Sequence, residues 1–363
     1  MTASPCENPD LFFAIRGGGG GTYGVVLDVI VKAYPTPKTT GHEFLVAAKT
    51  PNITEEFWDF SGWLHTELAR LKNGGMQGYY YLLGPPTVPT LTMIWEMAIY
   101  DKANGTTEQL MSPILQRLGQ EGALFYQSNV TEYQNFYDFY KQLHDRDGEA
   151  VATMGLSMGS RLLSKKAFAD AKEVRSLLKS VGPSNDGKKP NVSFISSVLH
   201  IGTEPNLQAP FINPALIGSM IAPTHSPSYF PGLQSANPAW RETLLHFIIA
   251  GGWPDGTSDE GIHEVRSDNT FNKTAYLRRL EPNSGVYFNE VSVPMHMIRA
   301  AEADMIKCDA FEPEWQRSFF GPHYERLLEI KLKYDPKSVL WCRGCVGSER
   351  WTEHEDGRLC TTG

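Results

Sequence analysis

The run Asp10-Leu11-Phe12-Phe13-Ala14-Ile15-Arg16, the five glycines Gly17 to Gly21, and Thr22-Tyr23-Gly24-Val25-Val26-Leu27-Asp28-Val29-Ile30-Val31 decide how this chain is read. An apolar run, a glycine block and a β-branched run predict strand, tight backbone feature, strand. Glycine adopts positive φ without penalty and lets a ligand approach the main chain, so something flat or anionic is expected against the glycines. Gly19, Gly21 and Gly24 satisfy the spacing of a dinucleotide fingerprint, but that motif opens a helix, and the residues that follow here are strand formers. A phosphate-binding P-loop fails as well, because Thr22 and Tyr23 stand where Gly-Lys is required. A glycine-rich bulge with no ligand is the bland alternative.

The segment Asn8 to Val26 resembles the glycine motif of fungal FAD-linked oxidases of the berberine bridge enzyme-like group, which have the vanillyl-alcohol-oxidase type of fold. Later blocks are similar to that family's in the same order: Asn237-Pro238-Ala239-Trp240-Arg241, Tyr287-Phe288-Asn289-Glu290, Glu312-Pro313-Glu314-Trp315-Gln316 and Tyr334-Asp335-Pro336. The resemblance implies an α+β fold: an antiparallel sheet covered by helices forms a substrate domain, beside the last strands of an FAD-binding domain. It divides the chain into residues 1–39, a remnant of the flavin domain, 40–285, the substrate domain, and 286–363, a segment returning to the flavin side.

By the same resemblance, Gly17, Gly18, Gly19, Gly20, Gly21, Thr22, Tyr23, Gly24 and Val25 are expected to contact FAD. Tyr287, Asn289 and Glu290 are expected to border flavin and substrate, although Val291 to Ala310 form an insertion relative to the family. In the family the glycine motif follows a long N-terminal portion that carries the His and Cys tethering the flavin. Those positions have no counterpart here, so covalent attachment is not expected; FAD is the cofactor the resemblance implies, held only weakly by this chain unless another chain supplies the missing contacts.

A chain of 363 residues, 41% hydrophobic and 20% charged, is large enough for an extended core. A net charge of -8 argues against a nucleic-acid partner, which needs a concentrated basic surface. Apolar runs such as Leu244 to Ala250 fall short of the ~20 residues that cross a bilayer. No secretory leader is read at Met1 to Asp10, so a cytoplasmic location is expected for the chain as written, and a secretory one, to which the sequons at Asn52, Asn104, Asn129, Asn191 and Asn272 point, if the natural chain is longer. Five cysteines are too few for a disulfide scaffold, Cys342 and Cys345 are read as structural, and no metal-ligand spacing is present.

Along the chain, strands are expected at 44–48, 77–83, 90–100, 154–162, 191–201 and 239–252. Helices are expected at 52–71, 107–118, 129–144, 164–181, 258–280, 312–320 and 323–333. Leu91, Met93, Trp95, Met97 and Ile99 alternate with Thr90, Thr92 and Glu96, so one strand face packs on helices and the other is open to a pocket. Half-desolvated polar groups on pocket faces are acid–base candidates, which singles out Glu96, His200 and Tyr80, with Thr92 beside them. The bland reading of each is a satisfied sheet residue, and His246, on an apolar strand, is read as a hydrogen-bonded core histidine.

Three functions follow. The first is an FAD-linked oxidoreductase acting on a small natural product. The second is a flavin-free isomerase or cyclase, including a cycloaddition catalyst, using a vacated pocket. The third is a non-catalytic subunit that forms a homodimer or completes a partner flavin chain.

Overall fold

In the computed structural model, residues 1–85, 87–144, 154–185, 213–222, 232–254, 256–288, 312–354 and 358–362 are described. The expected strands at 191–201 and the candidates His200, Asn289 and Glu290 lie outside the described residues. Seven strands form one antiparallel sheet: β1 (Thr39–Ala48), β2 (Gln77–Leu83), β3 (Thr92–Tyr100), β4 (Leu124–Tyr133), β5 (Met154–Ser164), β6 (Ala215–Ser219) and β7 (Thr243–Pro254). Their order across the sheet is β4-β1-β3-β2-β6-β7-β5.

One face of the sheet is closed by α2 (Glu55–Asn73), α3 (Thr106–Gln120) and α5 (Ala171–Val181). Phe57, Phe60, Leu64, Leu68 and Leu71 of α2 recur three and four apart, and all are buried against Phe44, Val46, Met93, Trp95 and Phe247 of the strands. Each such side chain contributes about 1.5–3 kcal/mol on full burial, so this layer carries the main core. The alternation of β3 behaves as expected: Leu91, Met93, Trp95, Met97 and Ile99 are at most 2% exposed.

Several expectations are corrected. Asp10–Arg16 is not a strand: α1 (Pro9–Ile15) is a helix that buries Leu11, Phe13 and Ala14. Proline at the first helical position and Asp10 in the first turn favour a helix start, and burial on one side holds it. Residues 25–35 have the composition of a strand but form none, because no neighbouring strand among the described residues takes up their backbone groups. The helix expected from Asn129 begins only at α4 (Phe136–His144), since 129–133 complete β4 against β1. That expected from Ser164 is instead the end of β5, a short 3-10 turn over Lys165–Phe168, and α5, whose start Asp170 caps by accepting from the amides of Lys172 and Glu173.

After β7 come α6 (Asp259–Ser267), a π-helical turn (Asp268–Lys273) and α7 (Thr274–Leu280); α8 (Trp315–Phe320) and α9 (Tyr324–Tyr334) follow the 289–311 stretch. A second core joins the two ends of the chain: Leu11, Phe13, Ala14 and Tyr23 pack with Val286, Phe319, Phe320, Leu327 and Ile330. Buried Arg161 on β5 and Glu312 form an ion pair at 3.2 Å, and Arg278 of α7 meets the same carboxylate at 3.0 Å, tying α7 and the start of α8 to the sheet.

Candidate active-site face of the sheet

The sheet face away from the helices is set by strand register. Following paired positions across it gives Asn129, Glu43, Glu96, Tyr79, Ser219 and His246, one residue per strand from β4 to β7. Two positions along, the corresponding row reads Gln127, Leu45, Ile94, Tyr81, Ile217 and Ile248. Side chains two apart on a strand share a face, so a polar row lies beside a largely apolar one. Tyr81, Ile217, Ile248, Leu83, Val88 and Ala250 form a buried cluster of their own, separate from the helix-side core.

Three polar side chains on this face are deeply buried without being satisfied. The Tyr81 hydroxyl, the Ser219 hydroxyl and both ring nitrogens of His246 have no hydrogen-bond partner among the described residues. Such groups cost about 1–3 kcal/mol each when no partner compensates them. Burial, and next the negative charge of Glu96 nearby, push the Tyr81 hydroxyl well above the ordinary tyrosine range, so it stays protonated and donates. Burial lowers His246 to about 3, so its ring is neutral, with one donor and one acceptor nitrogen.

The end of the polar row meets the chain ends. Tyr287 stands edge-on to His246 at 5.7 Å and to Trp240 at 5.0 Å. The next side chain, Phe288, points the other way onto Phe319 and Phe320. A Cβ placed on Gly19 would lie 3.4 Å from the Phe288 ring, which brings the glycine turn alongside this corner of the sheet.

Within the turn the glycines divide into two kinds. A Cβ on Gly17 would meet the Ala236 amide nitrogen at 2.1 Å, and one on Gly18 would collide with Leu327, Tyr23 and the Ala14 carbonyl. Close packing of the protein on itself therefore explains these two. Gly20, Gly21 and Gly24 have nothing within 4 Å and keep open space in front of the backbone. The turn is anchored by Thr22, whose hydroxyl donates to the Gly19 carbonyl at 3.1 Å, and by buried Lys331, whose ammonium donates to the Thr22 carbonyl, to Asp335 at 2.7 Å and to the Leu340 carbonyl at 2.9 Å. Tyr23 is buried beside Leu327, whereas Val25 is exposed.

The candidate residues thus separate. Thr92 and Glu96 share the face away from the helices, as their alternation implied, but Thr92 is buried rather than open, its hydroxyl donating to the Thr90 carbonyl at 2.9 Å. Tyr80 does not join them. It pairs with Trp95 across β2 and β3, stands on the helix side, and donates to His65 Nε2 at 2.6 Å, while His65 Nδ1 donates to the Ser61 carbonyl at 2.7 Å. Its place follows from the register: the apolar positions of β3 mark the core face, and Tyr80 pairs with Trp95, one of them. The residues missed were its neighbours Tyr79 and Tyr81, with Ser219. His246 was read as bonded, yet it has no partner among the described residues.

This face joins buried polar side chains, Tyr81, Ser219 and His246, to the buried isoleucines Ile217 and Ile248, while the glycine turn leaves open space before the backbone at Gly20, Gly21 and Gly24, where a flat ring such as a flavin would find access. Comparisons agree. Residues 287–345 match the family model "Berberine and berberine like". The chain is 28% identical over 374 residues to the FAD-linked oxidoreductase apf9 of Gibberella fujikuroi, covering 99% of this chain and 56% of that protein. It is 24% identical to the bifunctional decalin synthase calF of Penicillium decumbens, over 99% of this chain and 54% of that one. A VAO-type flavoprotein of Myceliophthora thermophila superposes with a TM-score of 0.74 at 26% identity, covering 100% of this chain and 57% of the other. The chain spans about half the length of the curated relatives it matches. The glycine turn, the sheet and these likenesses identify the chain as a relative of the fungal FAD-linked oxidoreductases, with a berberine-like segment and the fold of VAO-type flavoproteins.

Proposed function

We propose that this chain provides the substrate-holding face of an FAD-linked oxidoreductase that acts on a small natural product. The observation that carries the reading is the set of buried polar atoms on Tyr81, Ser219 and His246 that lack partners among the described residues. FAD, when bound, supplies the hydride acceptor. The protein's own part is to position and to move a proton. Ile94, Ile217 and Ile248 hold the apolar body of the substrate and exclude water. The protonated Tyr81 hydroxyl donates to a substrate oxygen, and neutral His246 orients a second polar group without adding charge. Glu96, half-buried beside Tyr79, is placed to accept a proton from the substrate carbon or hydroxyl as it is oxidised.

The test is Tyr81→Phe. Removing an unsatisfied buried hydroxyl is expected to leave stability unchanged or raise it by up to about 1–2 kcal/mol. Turnover of flavin-dependent oxidation, read by reduction of the band near ~450 nm, is expected to fall by about tenfold or more. Equal turnover in the variant would refute the assignment. A redox-neutral ring closure is the second reading, favoured by the apolar row and by the likeness to a decalin synthase. Conversion without O2 to a product of unchanged mass would select it.

A further inference from the structure

A second cavity, of about 290 Å³, lies away from the sheet face, between α8, the 341–349 loop and the short hairpin of β8 (Trp351–Glu353) and β9 (Leu359–Thr361). Trp315, Trp341 and Trp351 line it together with Arg343, Glu349 and Glu353. All three indoles are half-buried, so each keeps part of its ring surface open to the recess. Two are held in place by the protein. Trp315 stacks edge-on with Tyr324 at 5.5 Å, and Trp341 Nε1 donates to the Ser348 carbonyl at 3.3 Å, which fixes the ring against the wall. The Cys342–Cys345 disulfide fastens the loop that carries Trp341 and Arg343.

The charges in the wall decide the ligand class. Arg343 is paired with Glu353, which cancels one acid. Glu349 accepts a hydrogen bond from the Tyr324 hydroxyl at 2.7 Å, and no cation pairs with it among the described residues. The recess therefore combines aromatic faces with one uncancelled carboxylate, the combination that attracts a cation through ring quadrupoles and direct Coulomb interaction. Its volume lies at the small end of ligand pockets, which excludes a large metabolite. Glu349, Trp351 and Glu353 also lie outside the span matched by the berberine-like family model.

We propose that this recess is a binding site for a small organic cation, a quaternary or protonated alkylamine, independent of the sheet face.

The experiment titrates the full chain with choline and, separately, with its neutral isostere 3,3-dimethylbutan-1-ol, reading the tryptophan indole resonances by NMR and the heat of binding by calorimetry. Saturable one-to-one binding of choline is expected, with the neutral alcohol at least roughly tenfold weaker. Glu349→Gln is expected to weaken choline by a similar factor, and Trp351→Phe, which keeps an aromatic ring and tests the site should Glu349→Gln not fold, by roughly threefold. Equal binding of the two compounds, absence of choline binding, or choline affinity unchanged in both variants would overturn the proposal.

Discussion

At the scale of single residues, buried imidazoles set the response to acid. Burial holds His42 and His65 at about 4 and His246 at about 3. His42 Nδ1 accepts from Trp95 Nε1 at 2.9 Å and leaves its proton on Nε2 toward Ser128, so it too is a neutral ring in a fixed tautomer. In the unfolded chain these rings take up protons near ~6.5. Unfolding therefore binds protons throughout the interval between the folded and unfolded values. Stability is expected to be level above about pH 7 and to fall as pH drops from about 6.5 to 4, by on the order of 1.4 kcal/mol per pH unit for each ring. Urea midpoints measured from pH 4 to 8 check this, and His65→Gln should reduce the slope while lowering stability overall. A profile unchanged in slope by that variant would remove His65 from the set.

At the scale of elements, the glycine turn separates packing from ligand access. Gly17 has φ +152° and its Cβ position is occupied by the backbone at Ala236, so Gly17→Ala is expected to cost about 2–4 kcal/mol in urea unfolding. Gly20 faces open space, so Gly20→Ala should change stability by less than about 0.5 kcal/mol while lowering retention of added FAD on a desalting column. Retention equal to that of the unsubstituted chain would show that Gly20 is not on the ligand side. The same turn shows what the sequence made legible. Period-two alternation located β3, and spacing of three and four located α2 and α9, because burial on one face writes itself directly into those patterns. The helix nature of 9–15 was hidden by its unbroken apolar run, although Asn8-Pro9-Asp10 carried a start signal. The polar row was hidden for another reason: Ser219 and His246 come together with Tyr79 only through strand pairing across more than a hundred residues, which local spacing does not encode. Tyr80 was misassigned because three consecutive tyrosines give no alternation of their own.

At the scale of the whole molecule, the most exposed apolar segment among the described residues is 25–34. Leu27 is 92% and Ile30 95% exposed, with Val25, Val29 and Val31 close behind. A β-branched run with free backbone groups is a template for pairing between molecules. Ile30→Lys is expected to shift the isolated chain toward smaller species in light scattering without changing its thermal midpoint by more than a degree or two; a size distribution unchanged by the substitution would rule the segment out as the contact. A further consequence concerns the order in which the molecule is made. The ammonium that anchors Thr22 belongs to a residue 309 positions later. At ribosomal speeds of ~5–20 residues per second, roughly 15–60 s of synthesis separate the two. Throughout that interval the glycine corner lacks this late anchor and has only earlier partners such as Ser235, which bonds the Phe13 carbonyl, so the greasy stretch behind it is on offer to any chaperone at the exit tunnel.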